Sequence, residues 1–357
     1  MSIKNLALHN IRSYETYSTK LNPRVTLILG PNGVGKTTLL EGIYYLCQGT
    51  SFRGRDRDMI AHNQQFGELK LVGADGTERR SKLNIIEQDK IQKTFFINNK
   101  KTARVPLQQR LPVVLFEPNE LRLLSSSPQR RRDFFDGIIA RLSPTYQTLL
   151  NRYNRTLLQR NELLKRQSEL THEAWSNHLF AWDVKFAELA QKVVSHRQEF
   201  LHLSNQRLSE IYSKMADKNH TVSAAYISNL PKKNYQQNIL HTLHRNANAD
   251  AIRGYTSVGP HRDDVAISLD GHMAVESASR GEMRTIMLSY KLLEVTLQAN
   301  AHHTPPLVLM DDVFSELDQT REEKLMNAIK DYQTIITATD LRESLKIDAS
   351  IISLSTR

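Results

Sequence analysis

The sequence predicts a mixed α/β fold in three parts: a strand–loop–helix core, an antiparallel β subdomain, and a helical second lobe with a short antiparallel coiled-coil arm. Three observations predict it. A short apolar run, Val25 to Leu29, is followed by a glycine-rich loop and then an apolar helix from Thr37 to Gln48. Between Gly67 and Thr102, short β-type runs are cut by turn signals at Ala74-Asp75-Gly76, Glu87-Gln88-Asp89 and Asn98-Asn99, the pattern of an antiparallel meander. From Ser125 to Met215 glycine almost disappears and apolar residues recur at helical spacing.

Taken in order, residues 2 to 29 alternate as strands around Ile3 to Leu8, Tyr14 to Lys20 and Val25 to Leu29. The next stretch, GPNGVGKTT, fits G-x-x-x-x-G-K-[ST] with a strand before it and a helix after it, the context that motif needs. Gly30, Gly33 and Gly35 let the backbone turn its N–H groups inward around phosphates, where side chains would block the approach. The helix N-terminus adds positive partial charge. A nucleoside triphosphate is therefore expected, held by Gly30, Pro31, Asn32, Gly33, Val34, Gly35, Lys36, Thr37 and Thr38. Lys36 would reach the β/γ-phosphates and Thr37 would offer its hydroxyl to Mg²⁺. The bland alternative, a glycine turn with a stray lysine, does not account for the flanking strand and helix.

Beyond the helix, Arg53, Arg55 and Arg57 alternate in a polar loop, with Arg57 a candidate for the adenine side of the nucleotide. A strand from Val113 to Phe116 precedes Glu117-Pro118. In the helical stretch, Tyr146, Leu150, Tyr153, Leu157 and Leu164 share one face. Trp175, Leu179, Trp182, Phe186, Leu189 and Val193 share another, with a polar break near Ser168 to Thr171. This predicts a helical hairpin whose first helix, of about 25 residues, spans about 37 Å. The Trp/Tyr stripe is its packing seam. Arg152, Arg155, Arg160, Lys165 and Arg166 are placed on the outer face, either as a solvated face or as a DNA contact. Further on come a linker with a helix (Pro231 to Asn248), a strand and turn (Tyr255 to Arg262), and strands around Val265 to Leu269. An amphipathic helix follows (Gly281 to Leu297), then buried strands at 307–310 and 334–337. The resulting boundaries are 1–125, 126–253 and 254–357.

The chain of 357 residues carries a net charge of +10 and 39% hydrophobic residues. That charge favours a polyanionic partner, nucleic acid before an acidic membrane. No apolar run approaches the roughly 20 residues of a membrane-spanning helix, and the first ten residues do not read as a signal peptide. Its single cysteine, Cys47, has no partner for an internal disulfide and reads as a core filler. A cytoplasmic, nucleoid-associated protein with no membrane partner is expected.

LVLMDD, Leu307 to Asp312, is an apolar strand delivering two carboxylates to its C-terminal end. This is the Walker B arrangement, in which Asp311 holds Mg²⁺, often through water. Asp312 would then orient or deprotonate the attacking water. Two adjacent like charges at a dry strand end are costly unless a cation neutralises them, which favours metal over a solvated turn. Phe314-Ser315-Glu316-Leu317-Asp318 resembles the D-loop of ABC-type ATPases, and Ala278-Ser279-Arg280-Gly281-Glu282 resembles their signature motif.

Taken together, the chain resembles the RecF family along nearly its whole length. The resemblance rests on LALHNIRSYE, GPNGVGKTTLLEGIYYL, VVLFEPNELRLL, SPQRRRDFFD, YNRTLLQRNELLK, SVGPHRDDVAI, ASRGEMRT and LVLMDDVFSELD. It implies an ABC-type (P-loop) ATPase head with a helical second lobe, forming a homodimer on ATP and binding DNA, duplex or gapped. It further implies cooperation with RecR/RecO-type mediators in placing RecA recombinase. On that pattern, Gly30, Gly35, Lys36 and Thr37 bind phosphate and Mg²⁺, and Asp311 binds Mg²⁺. Asp312 activates water, Ser279 and Gly281 act on the partner copy's nucleotide, and Asp318 couples the two sites. A DNA-dependent ATPase is expected, and two departures from transporter-type ATPases predict that its hydrolysis is slow and acts as a switch. TIITATD offers only Thr337 and Thr339 where those carry a histidine. VVLFEPNEL has no glutamine, leaving Glu117 or Asn119 as the nearest candidate. Two further features stay open. His261 faces nucleotide or DNA, or is a backbone-bonded turn residue. Arg130-Arg131-Arg132, unfavourable at a helix start, suggests a phosphate or acidic partner.

Overall fold

The structure, a computed structural model, describes residues 2–87, 90–302, 304–342 and 349–355. The chain divides into two compact units, one of residues 1–120 with 294–357 and one of residues 121–293.

The first unit opens with β1 (Ile3–Ile11), β2 (Tyr14–Lys20), β3 (Val25–Leu29) and α1 (Lys36–Gln48). The meander follows as β4 (Phe66–Gly73), β5 (Glu78–Glu87), β6 (Lys90–Ile97) and β7 (Lys100–Thr102), and then β8 (Val113–Phe116) and a one-turn α2 (Pro118–Leu121). The turn signal at Gln88-Asp89 lies outside the described residues. The second unit holds α3 (Pro128–Leu142), α4 (Pro144–Lys165), α5 (His172–Asn205), α6 (Leu208–Ala216), β9 (Val222–Ile227) and α7 (Tyr235–Arg253). After these come β10 (Asp264–Leu269), β11 (His272–Met273) and α8 (Ala274–Ser277). Helix α9 (Arg280–Ala301) spans the boundary. The chain then returns to the first unit with β12 (Leu307–Asp311), α10 (Gln319–Ile329), β13 (Thr334–Ala338) and β14 (Ala349–Ser353).

Two sheets build the first unit. The meander extends the first hairpin into a six-stranded antiparallel sheet, β2-β1-β4-β5-β6-β7, and a five-stranded parallel sheet runs β14-β3-β13-β12-β8. Every strand of the parallel sheet reads as an apolar run rather than an alternation, except β14 at one edge, as expected for a sheet covered on both faces. Its strands come from opposite ends of the sequence, so residues 121–293 are an insertion into one sheet.

Eleven of the thirteen residues of α1 are buried, which explains why this helix is apolar nearly all round. Leu39, Leu40, Ile43 and Leu46 share a core with Leu6 and Leu8 of β1, Leu69 and Leu71 of β4, and Ile335 of β13. Each such leucine contributes about 2 kcal/mol by burial. Cys47 lies inside this core, and burial pushes its thiol up to about 12. It is a packing residue, not a nucleophile.

In the second unit α4 and α5 pack antiparallel. The contacts Tyr146–His196, Tyr153–Phe186, Arg160–Asp183 and Leu163–Trp175 step in opposite directions along the two helices. Trp175, Tyr146 and Tyr153 are buried, so the aromatic stripe is the seam. The hairpin does not stand alone: α7, expected only as a helix within a linker, contributes Ala247 and Ala251 to the Leu164–Trp175–Leu179 cluster.

Three further expectations change. Arg160 is not on the outer face. It is fully buried, with Nε bonded to Asp183 (2.6 Å) and Nη1 to Asp250 (3.2 Å) and to the Thr256 hydroxyl (2.9 Å). Residues 255–262 form a loop rather than a strand. The stretch 254–293, grouped with the C-terminal half of the head on sequence, falls in the same compact unit as the arm, because β10 pairs along its length with β9.

Candidate nucleotide site

The phosphate loop leaves β3 at Leu29 and enters α1 at Lys36. Gly35 is the N-cap of α1 with φ 105°, a left-handed conformation that glycine adopts at no steric cost. A Cβ there would also lie 2.8 Å from the Tyr14 ring. The ring of β2 thus presses on the loop and fixes where it turns, a contact invisible in the motif. Lys36 is buried, and its ammonium donates to the carbonyls of Gly30 and Pro31. It is held at the loop's own curvature, where anionic phosphate oxygens would replace neutral carbonyl partners.

The second half of the site arrives on β12. Strand β13 lies between β3 and β12, and its register sets Thr337 beside both Ile28 and Asp311. The Thr37 hydroxyl donates to Asp311 Oδ1 at 2.8 Å, joining two residues 274 positions apart. The Thr337 hydroxyl lies 2.9 Å from the same oxygen. Asp312 follows in a left-handed conformation, φ 52°, its N–H bonded to Thr337 Oγ1 at 3.0 Å. Burial raises the Asp312 carboxyl above the usual carboxylate range. The Lys36 ammonium opposes that rise and the Asp311 carboxylate adds to it. A carboxyl held at raised pKa beside the loop lysine has the character of a proton acceptor.

The chain supplies one hydroxyl and one carboxylate, 2.8 Å apart. Among the described residues no three His, Cys, Asp or Glu side chains gather to hold a metal. That donor set fits Mg²⁺, which keeps several waters and shares its remaining positions with phosphate oxygens. Such an ion would neutralise charge on the β/γ-phosphates.

Glu41 shows how the loop is braced from behind. Fully buried in α1, it accepts two bonds from the Arg12 guanidinium (3.1 and 2.8 Å) and one from Ser51 Oγ (2.5 Å). A buried carboxylate without these partners would be costly.

Of the remaining expected site residues, Asp318 is exposed and caps α10, accepting from Arg321 N at 2.9 Å and pairing with the Arg321 side chain. Asn119 is exposed and Glu117 half-buried. In the second unit, Ser279 is exposed at the start of α9. It forms a capping box with Glu282: Ser279 N and Oγ each donate to Glu282 Oε2 at 2.8 Å, and Glu282 N donates back to Ser279 Oγ at 3.2 Å. Gly281 is half-buried in the first turn, its carbonyl bonded by Thr285. Gly30, Pro31, Asn32, Gly33 and Val34 lie in the loop and Thr38 in the first helical turn.

Two features left open on sequence resolve inside the second unit. Arg131 bonds Asp264 through Nε (2.9 Å) and Nη2 (2.5 Å), and buried Arg132 bonds the Asp263 carbonyl (2.6 Å). The acidic partner of the basic triplet therefore lies within this chain. Two of the triplet's members anchor α3 to the start of β10, and only Arg130 is exposed. His261 Nε2 lies 3.1 Å from the Thr256 carbonyl and Nδ1 2.7 Å from Tyr153 Oη. A carbonyl only accepts, so Nε2 carries the proton and Nδ1 accepts from the tyrosine. Burial lowers this imidazole to about 4. It is a neutral turn residue.

The family model for the RecF/RecN/SMC N terminal domain matches residues 2–353. The DNA replication and repair protein RecF of Clostridium tetani is 30% identical over 365 residues, covering 99% of this chain and 98% of that protein. The same protein of Streptococcus uberis is 33% identical, with 98% and 96% covered. A solved structure of the recombination mediator protein RecF with ATP superimposes with a TM-score of 0.83 at 25% identity, covering 96% of this chain and 93% of that one. An Smc head bound to the C-winged helix domain of ScpA gives 0.53 at 16% identity, a likeness of fold alone. The α/β architecture, the loop that meets an aspartate-tipped strand, and these alignments over almost the entire length converge, and the chain belongs to the RecF family of SMC-like ABC-type ATPases.

Proposed function

We propose that this chain is an ATP-dependent DNA-binding protein of recombinational repair and replication restart. Two copies pair on ATP, clamp duplex or gapped DNA, and separate after slow, DNA-stimulated hydrolysis. Lys36 and the loop N–H groups would grip the phosphates, Thr37 and Asp311 would hold Mg²⁺, and Asp312 would take the proton of the attacking water. Ser279 and the N-terminus of α9, around Gly281, would meet the γ-phosphate bound by the partner copy, and Asp318 would link the two sites. Cooperation with RecR/RecO-type mediators and a RecA recombinase in the cytoplasm is part of this reading.

The observation that carries it is the bond between Thr37 and Asp311 beside the buried Lys36. The net charge of +10 supports a polyanionic partner. So does the exposure of Arg152 and Arg155 on α4. A second reading, a nucleotide-gated DNA-binding module with negligible turnover, is favoured by the strand end at Thr337. The histidine of transporter-type enzymes has no counterpart there: of the two threonines offered, Thr337 has its hydroxyl already engaged by Asp311 and Asp312, and Thr339 is exposed. Phosphate release with and without gapped duplex decides between the two. DNA-stimulated release that collapses in Asp312→Asn supports the enzyme, and no release above that of Lys36→Met supports the module.

A further inference from the structure

Thr337 lies 0% exposed in the middle strand of the parallel sheet, between the strand that feeds the phosphate loop and the strand that ends in Asp311-Asp312. Its hydroxyl has three polar neighbours: Asp311 Oδ1 at 2.9 Å, the Asp312 N–H at 3.0 Å and the Met310 carbonyl at 3.3 Å. A hydroxyl has one proton and two lone pairs. An N–H only donates, so Thr337 accepts from Asp312. Its own proton then goes to the shorter and charge-assisted partner, the Asp311 carboxylate. Asp311 Oδ1 thus receives two hydroxyls, from Thr37 on the loop helix and from Thr337 on the neighbouring strand.

One side chain therefore controls two groups. It fixes the rotamer of the carboxylate that bonds Thr37. It also holds the N–H of Asp312, a non-glycine residue at φ 52° in a conformation that needs support from its surroundings. We propose that Thr337 is a positioning residue for the metal-binding step. It aims the Asp311 carboxylate at the ion shared with the triphosphate and clamps the turn that presents Asp312. This rests on the nucleotide reading above. It makes the threonine at this strand end a supporting partner of Asp311 rather than a feeble replacement for a γ-phosphate sensor. Outer partners of metal-binding carboxylates commonly account for about 10- to 100-fold in metal affinity.

The test is a Mg²⁺ titration of ATP binding on the full-length chain, using a fluorescent ATP analogue, with the metal-independent affinity measured in EDTA. Thr337→Val is nearly isosteric and removes the hydroxyl. It should raise the Mg²⁺ concentration for half-maximal binding about tenfold, while binding in EDTA stays within about twofold. Thr337→Ser keeps the hydroxyl and should titrate as the unaltered chain does. An unshifted midpoint in Thr337→Val overturns the proposal, as does a shift in Thr337→Ser as large as that expected of valine. ATP binding with no dependence on Mg²⁺ in the unaltered chain overturns the proposal too, whereas no ATP binding with or without Mg²⁺ is the failure of the nucleotide reading itself, and the two failures are distinct.

Discussion

At the scale of single residues, the nucleotide site divides its labour by environment. Lys36 is buried among carbonyls, so its charge is available to phosphate with little competition from water. Lys36→Met should lower ATP affinity at least about 100-fold while leaving the melting temperature nearly unchanged, since a buried ammonium is replaced by an apolar side chain of similar length. Asp312 is the proposed base, and burial together with the neighbouring Asp311 carboxylate raises its carboxyl. Asp312→Asn keeps the shape and would remove the proposed base. Turnover should fall about 100- to 1,000-fold with ATP binding within about threefold, and a variant that retained full turnover would remove Asp312 from that role.

The loop residues were legible in the sequence because every requirement is local: a strand, three glycines, a lysine and a helix within sixteen residues. Tyr14 against Gly35, Arg12 with Glu41, and Thr337 with Asp311 were not legible in these roles. Each depends on register between elements distant in sequence, and no spacing rule reports it.

At the scale of elements, buried charge decides more than surface charge. Arg160 and Arg155 both belong to α4, five residues apart, yet one is sealed between Asp183 and Asp250 and the other is exposed. Removing the first leaves two buried carboxylates without their cation. Arg160→Met should therefore destabilise the chain by about 3–5 kcal/mol in urea unfolding. Arg155→Met should cost less than about 0.5 kcal/mol. It should instead weaken DNA binding and reduce the salt slope by about one.

Helical periodicity found α4 and α5 but placed Arg160 on the wrong face, because an arginine reads as exposed until its acidic partners on α5 and α7 are known. The basic triplet at the start of α3, read as wanting a phosphate or acidic partner, meets the Asp263 carbonyl and the Asp264 carboxylate 131 and 133 residues away.

His261 joins Tyr153 to the Thr256 carbonyl in the same unit, and it makes stability depend on pH with a definite sign. Its folded value, about 4, lies below the ordinary 6.5 or so of an unfolded histidine. Above that ordinary value it is neutral in both states. As pH falls below 6.5 the unfolded chain takes the proton first, so stability is lost between about 6.5 and 4. By pH 5 the loss from this one group is about 2 kcal/mol. His261→Gln should lose correspondingly less than the unaltered chain between pH 7 and pH 5, and equal losses would contradict the assignment.

At the scale of the whole molecule, the parallel sheet is built from the two ends of the sequence, which is why residues 121–293 enter as an insertion. The order of motifs along the chain already carried this split, since the phosphate loop and the Asp311 strand had to meet across more than 270 positions. The limits of the insertion were less legible, because β9, unread on sequence, pairs with β10 and ties 264–269 to the arm's unit. Each copy presents a phosphate loop and, separately, an exposed helix start at Ser279.

The central claim is that a second copy supplies that helix start to the bound nucleotide, and particle mass in solution tests it most directly. With ATP and Mg²⁺ the unaltered chain should run at twice its 41.0 kDa mass, and Ser279→Arg should bind ATP equally well yet remain a monomer. A stable, ATP-loaded monomer of the unaltered chain, at concentrations that saturate the nucleotide site, would contradict the account.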